Sequence, residues 1–218
     1  MKEIKIGLIL MLVFCATLLS AQFPEVDNNL DYKVKAFLEE NVHNWRDMNI
    51  PVGDGRILYD LIIQNGYTNA LEIGTSTGHS AIWMAWALSK TGGKLITIEI
   101  NKERWLKAKA NFRKAGVDKF VDARLGDAHD LVPALQGKYD FVFCDADKYW
   151  FRNYFIAMDP KLKTGGCFTA HNTAMRIAGI HEYLEYVEKQ SHYETTLDEK
   201  SRMGISISYK RAEKSNKN

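Results

Sequence analysis

Carboxylates recur where the apolar runs of this chain end. Glu72 stands near the end of "NALEIG", Glu99 near the end of "KLITIEI", and Asp127, followed by Ala128, just after "FVDARLG". A carboxylate at the second of these places accepts hydrogen bonds from ribose hydroxyls in nucleotide-type ligands. Asp127 as a lone residue reads as a helix cap; beside a nucleoside it would accept from an adenine amino group. After the first acid comes "LEIGTSTGHS". Gly74 and Gly78 let that backbone turn sharply and let a ligand come close, and the helix beyond offers free N–H groups. The spacing is G-x-x-x-G, not the G-x-G-x-x-G of dinucleotide folds, and Glu72 would repel a pyrophosphate and attract a cation. By itself such a loop is an ordinary strand-to-helix turn. The three acids together describe a pocket for an adenosine that carries positive charge and no phosphate, and S-adenosylmethionine is such a molecule.

A second group of polar residues follows the next two apolar runs. "DFVFCDADKYW" ends in Asp145, Asp147 and Lys148, and "GGCFTAHN" ends in His171 and Asn172. Neighbouring strands would bring Asp145 close to His171 and Asn172, and a carboxylate with an amide oxygen suits a hard cation such as Mg²⁺. Asp147 reads as part of a polar loop. Lys148 on its own reads as a surface lysine after a strand.

The elements that must position these residues alternate. Apolar residues at helical spacing predict a helix over Asn29–Met48, broken at Pro51 and Gly53, and a second one ending near Asn65 and Gly66. Five strand-then-helix repeats follow, and "YETTLD" with "GISISYK" closes the chain as a hairpin-like pair. Continuous apolar strands alternating with helices predict an α/β fold, a mainly parallel sheet covered by helices on both faces. Such sheets bind ligands at the carboxyl ends of their strands, where the acids lie. Trp83, Trp86 and Trp105 sit at core-like helical spacing. Tyr149, Trp150 and Tyr154 either wall an aromatic ligand or pack. Cys144 and Cys167 fall on adjacent strands, where a disulfide or a pair of small buried apolar residues is open. His43, His79, His129, His181 and His192 show no ligand spacing.

Length and composition set the frame. The 218 residues, 46% hydrophobic and 26% charged, suit a single globular domain. A net charge of +2 without a basic stripe argues against a nucleic-acid partner. Residues 1–21 have the basic start, apolar middle ("IGLILMLVFCATLL") and small-residue end of a signal peptide. That apolar run is shorter than the ~20 residues of a membrane span. The expectation is an exported protein, periplasmic or secreted, with no membrane span in the mature chain. The domain would cover 22–210, with an N-terminal helical segment at about 29–65, and 211–218 would be a polar tail.

The segments "DMNIPVGDGRIL", "LEIGTSTGHSAIWMA", "ITIEI", "GDA", "DFVFCDADKYWFRNY", "GGCFTAHN" and "GISISYK" resemble, in order and spacing, class I S-adenosylmethionine-dependent O-methyltransferases of the catechol and caffeoyl-coenzyme A type. The resemblance covers roughly residues 30–210. It implies a Rossmann-like, doubly wound, seven-stranded sheet whose last strand is antiparallel, and methyl transfer to a hydroxyl of a small catechol-like or caffeoyl-type aromatic acceptor. It implies that Glu72, Gly74, Thr75, Gly78 and Ser80 hold the cofactor's amino-acid end and loop, that Glu99 binds its ribose, that Asp127 and Ala128 flank its adenine, and that Ile50 lies against it. Asp145 would bind a divalent metal and the substrate oxygen, Asn172 would be a second ligand, and Lys148 would be the general base. A homodimer is also implied. One position departs from the pattern: the metal carboxylate that should precede Asn172 is His171. An imidazole there favours Zn²⁺, Mn²⁺ or Fe²⁺ over Mg²⁺, or leaves the site without a metal. Export also conflicts with a cytosolic methyl donor. The conflict resolves if the signal is retained with the domain facing inward, if the start is misassigned, or if the chain is an exported, non-catalytic binding module that kept the fold.

Overall fold

The computed structural model describes residues 28–198 and 200–212, so the 1–21 segment lies outside the described residues. Two helices open the chain, α1 (Asn28–Glu40) and α2 (Val52–Asn65). Then come β1 (Asn69–Ile73), α3 (His79–Thr91), β2 (Lys94–Glu99), α4 (Lys102–Ala115), β3 (Val121–Leu125), α5 (Ala128–Ala134), β4 (Tyr139–Cys144), α6 (Phe151–Met158), β5 (Leu162–His171), α7 (Ala178–Glu188), β6 (Tyr193–Asp198) and β7 (Ile205–Lys210).

The first helix is shorter than its apolar spacing predicts. It stops at Glu40 because the Asn41 side chain donates to the Phe37 carbonyl at 2.8 Å, giving the last turn a partner outside the helical ladder. Val42 is left exposed, and Trp45 turns inward to stack on His79, ring centroids 4.5 Å apart. Gly53 does not interrupt the second helix. It lies inside the first turn of α2, which Pro51 precedes with φ at −59°.

The seven strands lie in the order β3-β2-β1-β4-β5-β7-β6. Strands β1 to β5 are parallel, and β7 runs antiparallel to both β5 and β6. Because β1 pairs with β2 on one side and β4 on the other, the order reverses there. The loops after β1 and β4 therefore leave a crevice at the strand ends. One face of the sheet packs on α1–α4 and the other on α5–α7, each over its own buried apolar cluster. Strand parity decides which side chain meets which layer. On β1, Leu71 and Ile73 face α5–α7, which puts Glu72 on the α1–α4 side. Among the described residues no helix is long and apolar enough to cross a membrane.

Parity also settles the cysteines. Cys167 pairs in register with Phe141, and Cys144 with Ala170. The two thiols thus belong to opposite faces, Cys167 in the cluster under α1–α4 and Cys144 in the one under α5–α7. Both are free and buried, so the disulfide left open by the sequence does not form. Unfolded without reductant and treated with an alkylating agent, Cys144 and Cys167 should both take the label, read by peptide mass. A protected pair would contradict this register.

Candidate active site

A cavity of about 400 Å³ opens above the ends of β1, β2, β3 and β4. Gly74, Ile98, Glu99, Asp127 and Ala128 line its floor, Asp145, Ala146, Asp147 and Tyr154 its far wall, and Met48, Ile100 and Arg104 its rim. The sheet thus brings together five of the sequence-predicted residues: Gly74, Glu99, Asp127, Ala128 and Asp145. The Glu99 carboxylate is fixed by two backbone donors, Ser76 N–H to Oε2 at 2.7 Å and Asn101 N–H to Oε1 at 2.9 Å. Asp127 caps α5 by accepting from the His129 N–H at 2.8 Å, and it still borders the cavity. Both alternatives for Asp127 are therefore compatible with one position.

The glycines of the β1 loop make the sharp turn expected of them and have a second part in packing. Gly74 and Gly78 adopt φ of +101° and +96°, as a sharp turn requires. The protein itself also comes close to them. A Cβ on Gly74 would meet the Asp145 carbonyl oxygen at 2.7 Å, and one on Gly78 the Phe112 ring at 2.6 Å. Gly74 lets the loops after β1 and β4 cross in contact, and this sets the width of the crevice.

Ile50, Glu72, Thr75, Gly78 and Ser80 do not line the cavity; they build the layer beneath it. Glu72 is fully buried, and the hydroxyls of Ser80 and Thr97 donate to its two oxygens, each at 2.5 Å. Thr75 bonds to Thr97 in turn. Burial raises the Glu72 carboxyl to about 8 against the opposing pull of the two hydroxyls, with Asp145 and Glu99 adding repulsion. Glu72 is thus a mostly neutral strut rather than a lure for a cation. Ile50 is buried and gives its carbonyl to His79 Nδ1 at 2.9 Å, while Trp83 Nε1 donates to His79 Nε2 at 3.1 Å. This pairing fixes the tautomer: Nδ1 carries the proton. Burial lowers His79 to about 4, so the ring is neutral.

Residues 47–49 close the rim, a role that sequence reasoning missed. Ser76 donates to the Asp47 carbonyl, Asn49 donates to Thr77 at 2.8 Å, and Arg104 forks onto Asp47 at 2.9 and 3.2 Å. Met48, in a left-handed conformation with φ at 51°, is mostly exposed at the cavity mouth. His129 and Asp147 were also missed as lining residues. His129 stacks on Trp150 with centroids 3.9 Å apart and lies 3.4 Å from Asp147. Tyr154 lines the cavity, Trp150 is half-buried against His129, and Tyr149 is exposed.

Behind the cavity wall, four charged side chains form a line. Lys148 Nζ donates to Asp145 Oδ1 at 2.5 Å. Asp145 Oδ2 lies 3.2 Å from His171 Nδ1, an ion pair by distance without the alignment of a hydrogen bond. His171 Nε2 meets Asp54 Oδ2 at 2.8 Å. Asp54 and His171 are both buried. Burial alone would lower His171, but the carboxylates of Asp145 and Asp54 outweigh it and raise it to about 9. Asn172 follows in a left-handed conformation with φ at 63°.

A family model described as O-methyltransferase matches residues 25–206. This chain belongs to that O-methyltransferase family. It is similar to a caffeoyl-CoA O-methyltransferase of Medicago sativa, 34% identical over 157 residues that span 66% of this chain and 63% of the relative. It is also similar to a catechol O-methyltransferase of Niastella koreensis, 43% identical over 131 residues, 53% of this chain and 59% of the relative. The match thus spans about three-fifths of the length of these curated relatives. Among solved structures, an O-methyltransferase from Bacillus cereus in complex with SAH superposes with a TM-score of 0.71 at 24% identity, covering 88% of this chain and 94% of that one. TomG from Streptomyces achromogenes, in complex with SAM, gives 0.68 at 24% identity over 86% and 92%. At these identities the likeness is one of fold.

Resemblance to metal-dependent members of the O-methyltransferase family implies a divalent ion at Asp145, His171 and Asn172, and the donors here do not fit it. Each Asp145 oxygen faces a cationic side chain, and both His171 nitrogens face carboxylates. Two carboxylates and two cationic groups already balance, so a dication would enter a site with no net negative charge. Among the described residues no group of three or more His, Cys, Asp or Glu has the arrangement of a metal site.

The buried Glu72 makes stability depend on pH. Its folded value of about 8 lies above the ordinary 4.5, so the folded state holds the proton more tightly. The contribution is fully present below pH 4.5 and is lost as pH rises through about 8. Glu72→Gln keeps the shape and removes the titration. Relative to the parent, the variant should therefore gain stability between pH 5 and 8, by about 1.4 kcal/mol per pH unit at most, and level off above. Urea midpoints at pH 5, 7 and 9 read this directly; parallel curves would show that Glu72 is ionised throughout.

Proposed function

We propose that this chain is an S-adenosylmethionine-dependent O-methyltransferase acting on a hydroxyl of a small catechol-like or caffeoyl-type aromatic. One observation carries the reading. Glu99, Asp127 and Asp147 share the switch-point cavity with Asp145, whose two oxygens are already paired, and the basic group at its rim, Arg104, is committed to Asp47. Such a lining attracts a cationic nucleoside and repels a pyrophosphate. Ile98, Ile100, Met48 and Ala128 supply apolar surface for a base, and Glu99, held by two N–H groups, keeps lone pairs for ribose hydroxyls. The names of the relatives support the same acceptor class.

Bound there, S-adenosylmethionine would supply an electrophilic methyl group. The chain's own part is alignment and proton handling. Transfer from a sulfonium to a phenolate annihilates charge, so proximity matters more than charge stabilisation, and alignment can contribute ~7–11 kcal/mol. Lys148, its Nζ held by Asp145 at 2.5 Å beside the cavity wall, stands as the base for the phenolic proton once its ammonium has given up its own proton. The exposed Tyr149 and the rim residue Met48 offer apolar surface to an acceptor ring.

Isothermal titration with S-adenosylmethionine should give one site per chain, and methylation of a catechol should follow. Absence of both would overturn the enzyme reading and favour a non-catalytic binding module or another ligand. Lys148→Ala should cut kcat by roughly 10²–10⁴-fold, the range of general-base catalysis, while leaving the cofactor's Kd nearly unchanged. Equal losses in both would remove Lys148 from the base role.

A further inference from the structure

We propose that this site works without a divalent metal ion, and that the His171 ring, clamped between Asp54 and Asp145, stands where the metal would otherwise bridge. The inference rests on the methyltransferase reading above and adds a positioning residue to it, Asp54.

Asp54 lies in the first turn of α2, where an acidic residue needs no further explanation if it is solvated near the helix N-terminus. Asp54 is 2% exposed. A carboxylate buried to that degree requires a partner, because desolvation costs several kcal/mol when unpaired. Its partner is His171 Nε2 at 2.8 Å, a residue 117 positions away and itself 3% exposed. The contact joins the N-terminal helical layer to the end of β5.

Clamping at Nε2 directs the other ring nitrogen at Asp145. Nδ1 has no hydrogen-bond partner, and Oδ2 of Asp145 lies 3.2 Å from it. The second Asp145 oxygen then faces Lys148 Nζ. Asp145 is thus held from two sides by side chains of the protein, and its orientation sets where Lys148 sits. A metal ion on Asp145 would compete with Lys148 Nζ for Oδ1 and with the His171 ring for Oδ2. The protein instead places an imidazole from the end of β5 against Asp145, its far nitrogen held by Asp54. Asp54 touches neither cavity nor reacting atoms, so it acts through His171.

Three measurements test this on the full chain. Calorimetric titration of the chelator-treated protein with MgCl2, MnCl2 and ZnCl2 should show no stoichiometric site. A micromolar site that disappears in His171→Ala overturns the proposal, whether or not the protein proves to be a methyltransferase. Methyl transfer to a catechol should change less than about twofold between EDTA and added Mg²⁺; a loss beyond tenfold that Mg²⁺ restores also overturns it. Asp54→Asn should lower kcat by roughly 10–100-fold, the equivalent of one hydrogen bond to a charged group, with the S-adenosylmethionine Kd unchanged and partial recovery in Asp54→Glu. Unchanged kcat, or parallel loss of kcat and cofactor binding, removes Asp54 from the positioning role. Failure of S-adenosylmethionine to bind at all would fall on the methyltransferase reading, while the metal titration would still decide this one.

Discussion

Asp145 has two carboxylate oxygens, and each faces a different cationic side chain. That constraint organises the rest of the site. A carboxylate at the end of a buried parallel strand cannot remain unpaired, and in a low-dielectric setting its partners must be near and well fixed. Lys148 comes from the turn directly after β4, so it needs no long-range support. His171 comes from β5 and does: its ring is held by Asp54 on α2. The N-terminal helical layer is therefore part of the site, although it contributes no strand to the sheet.

The same accounting runs across the crevice. Glu99 draws its donors from the β1 loop and from the residue that caps α4. Asp127 takes one N–H of α5. Glu72, on the other parity of β1, has only hydroxyls, and burial then favours its neutral form. Four acids at similar places along their strands thus divide by what surrounds them: three border the cavity, and one supports it from below. Gly74 ties the arrangement together, since only a residue without Cβ lets the β1 and β4 loops touch.

The order of elements was legible because it is written locally. Apolar runs, turn glycines and the Asn101 cap each act within a few residues, and the sheet follows from their alternation. The end of α1 was not, because the Asn41 side chain competes with the helix ladder while Trp45 continues the apolar spacing past it. The meeting of Gly74, Glu99, Asp127 and Asp145 at one cavity was legible from strand ends, and Ala128 from the family resemblance. Glu72 was read too close to the ligand because a strand end does not show depth: it shares a face with Thr97, which donates to it, and only Glu99, two residues further along β2 on that face, reaches the cavity. Asp54 was invisible, since nothing near "PVGDGR" signals a partner 117 residues downstream. His129 and Asp147 were passed over because each has a bland reading alone, and only their approach across the cavity changes it.

What selects the ligand follows from where charge is left unspent. Arg104 is committed to Asp47, Lys148 to Asp145, and Glu72 contributes little charge near neutrality. Glu99 and Asp127 each accept backbone N–H donors, which orient a carboxylate without neutralising its formal charge. Asp147 likewise accepts a backbone N–H, from Tyr149 at 3.0 Å, and faces the His129 ring at 3.4 Å. The field inside the crevice is therefore negative even though the whole chain is nearly balanced at +2. A phosphate would meet carboxylates where it needs donors, whereas a positively charged nucleoside meets acceptors for its hydroxyls and a favourable potential for its charge. Selectivity here comes as much from withheld cations as from the acids themselves.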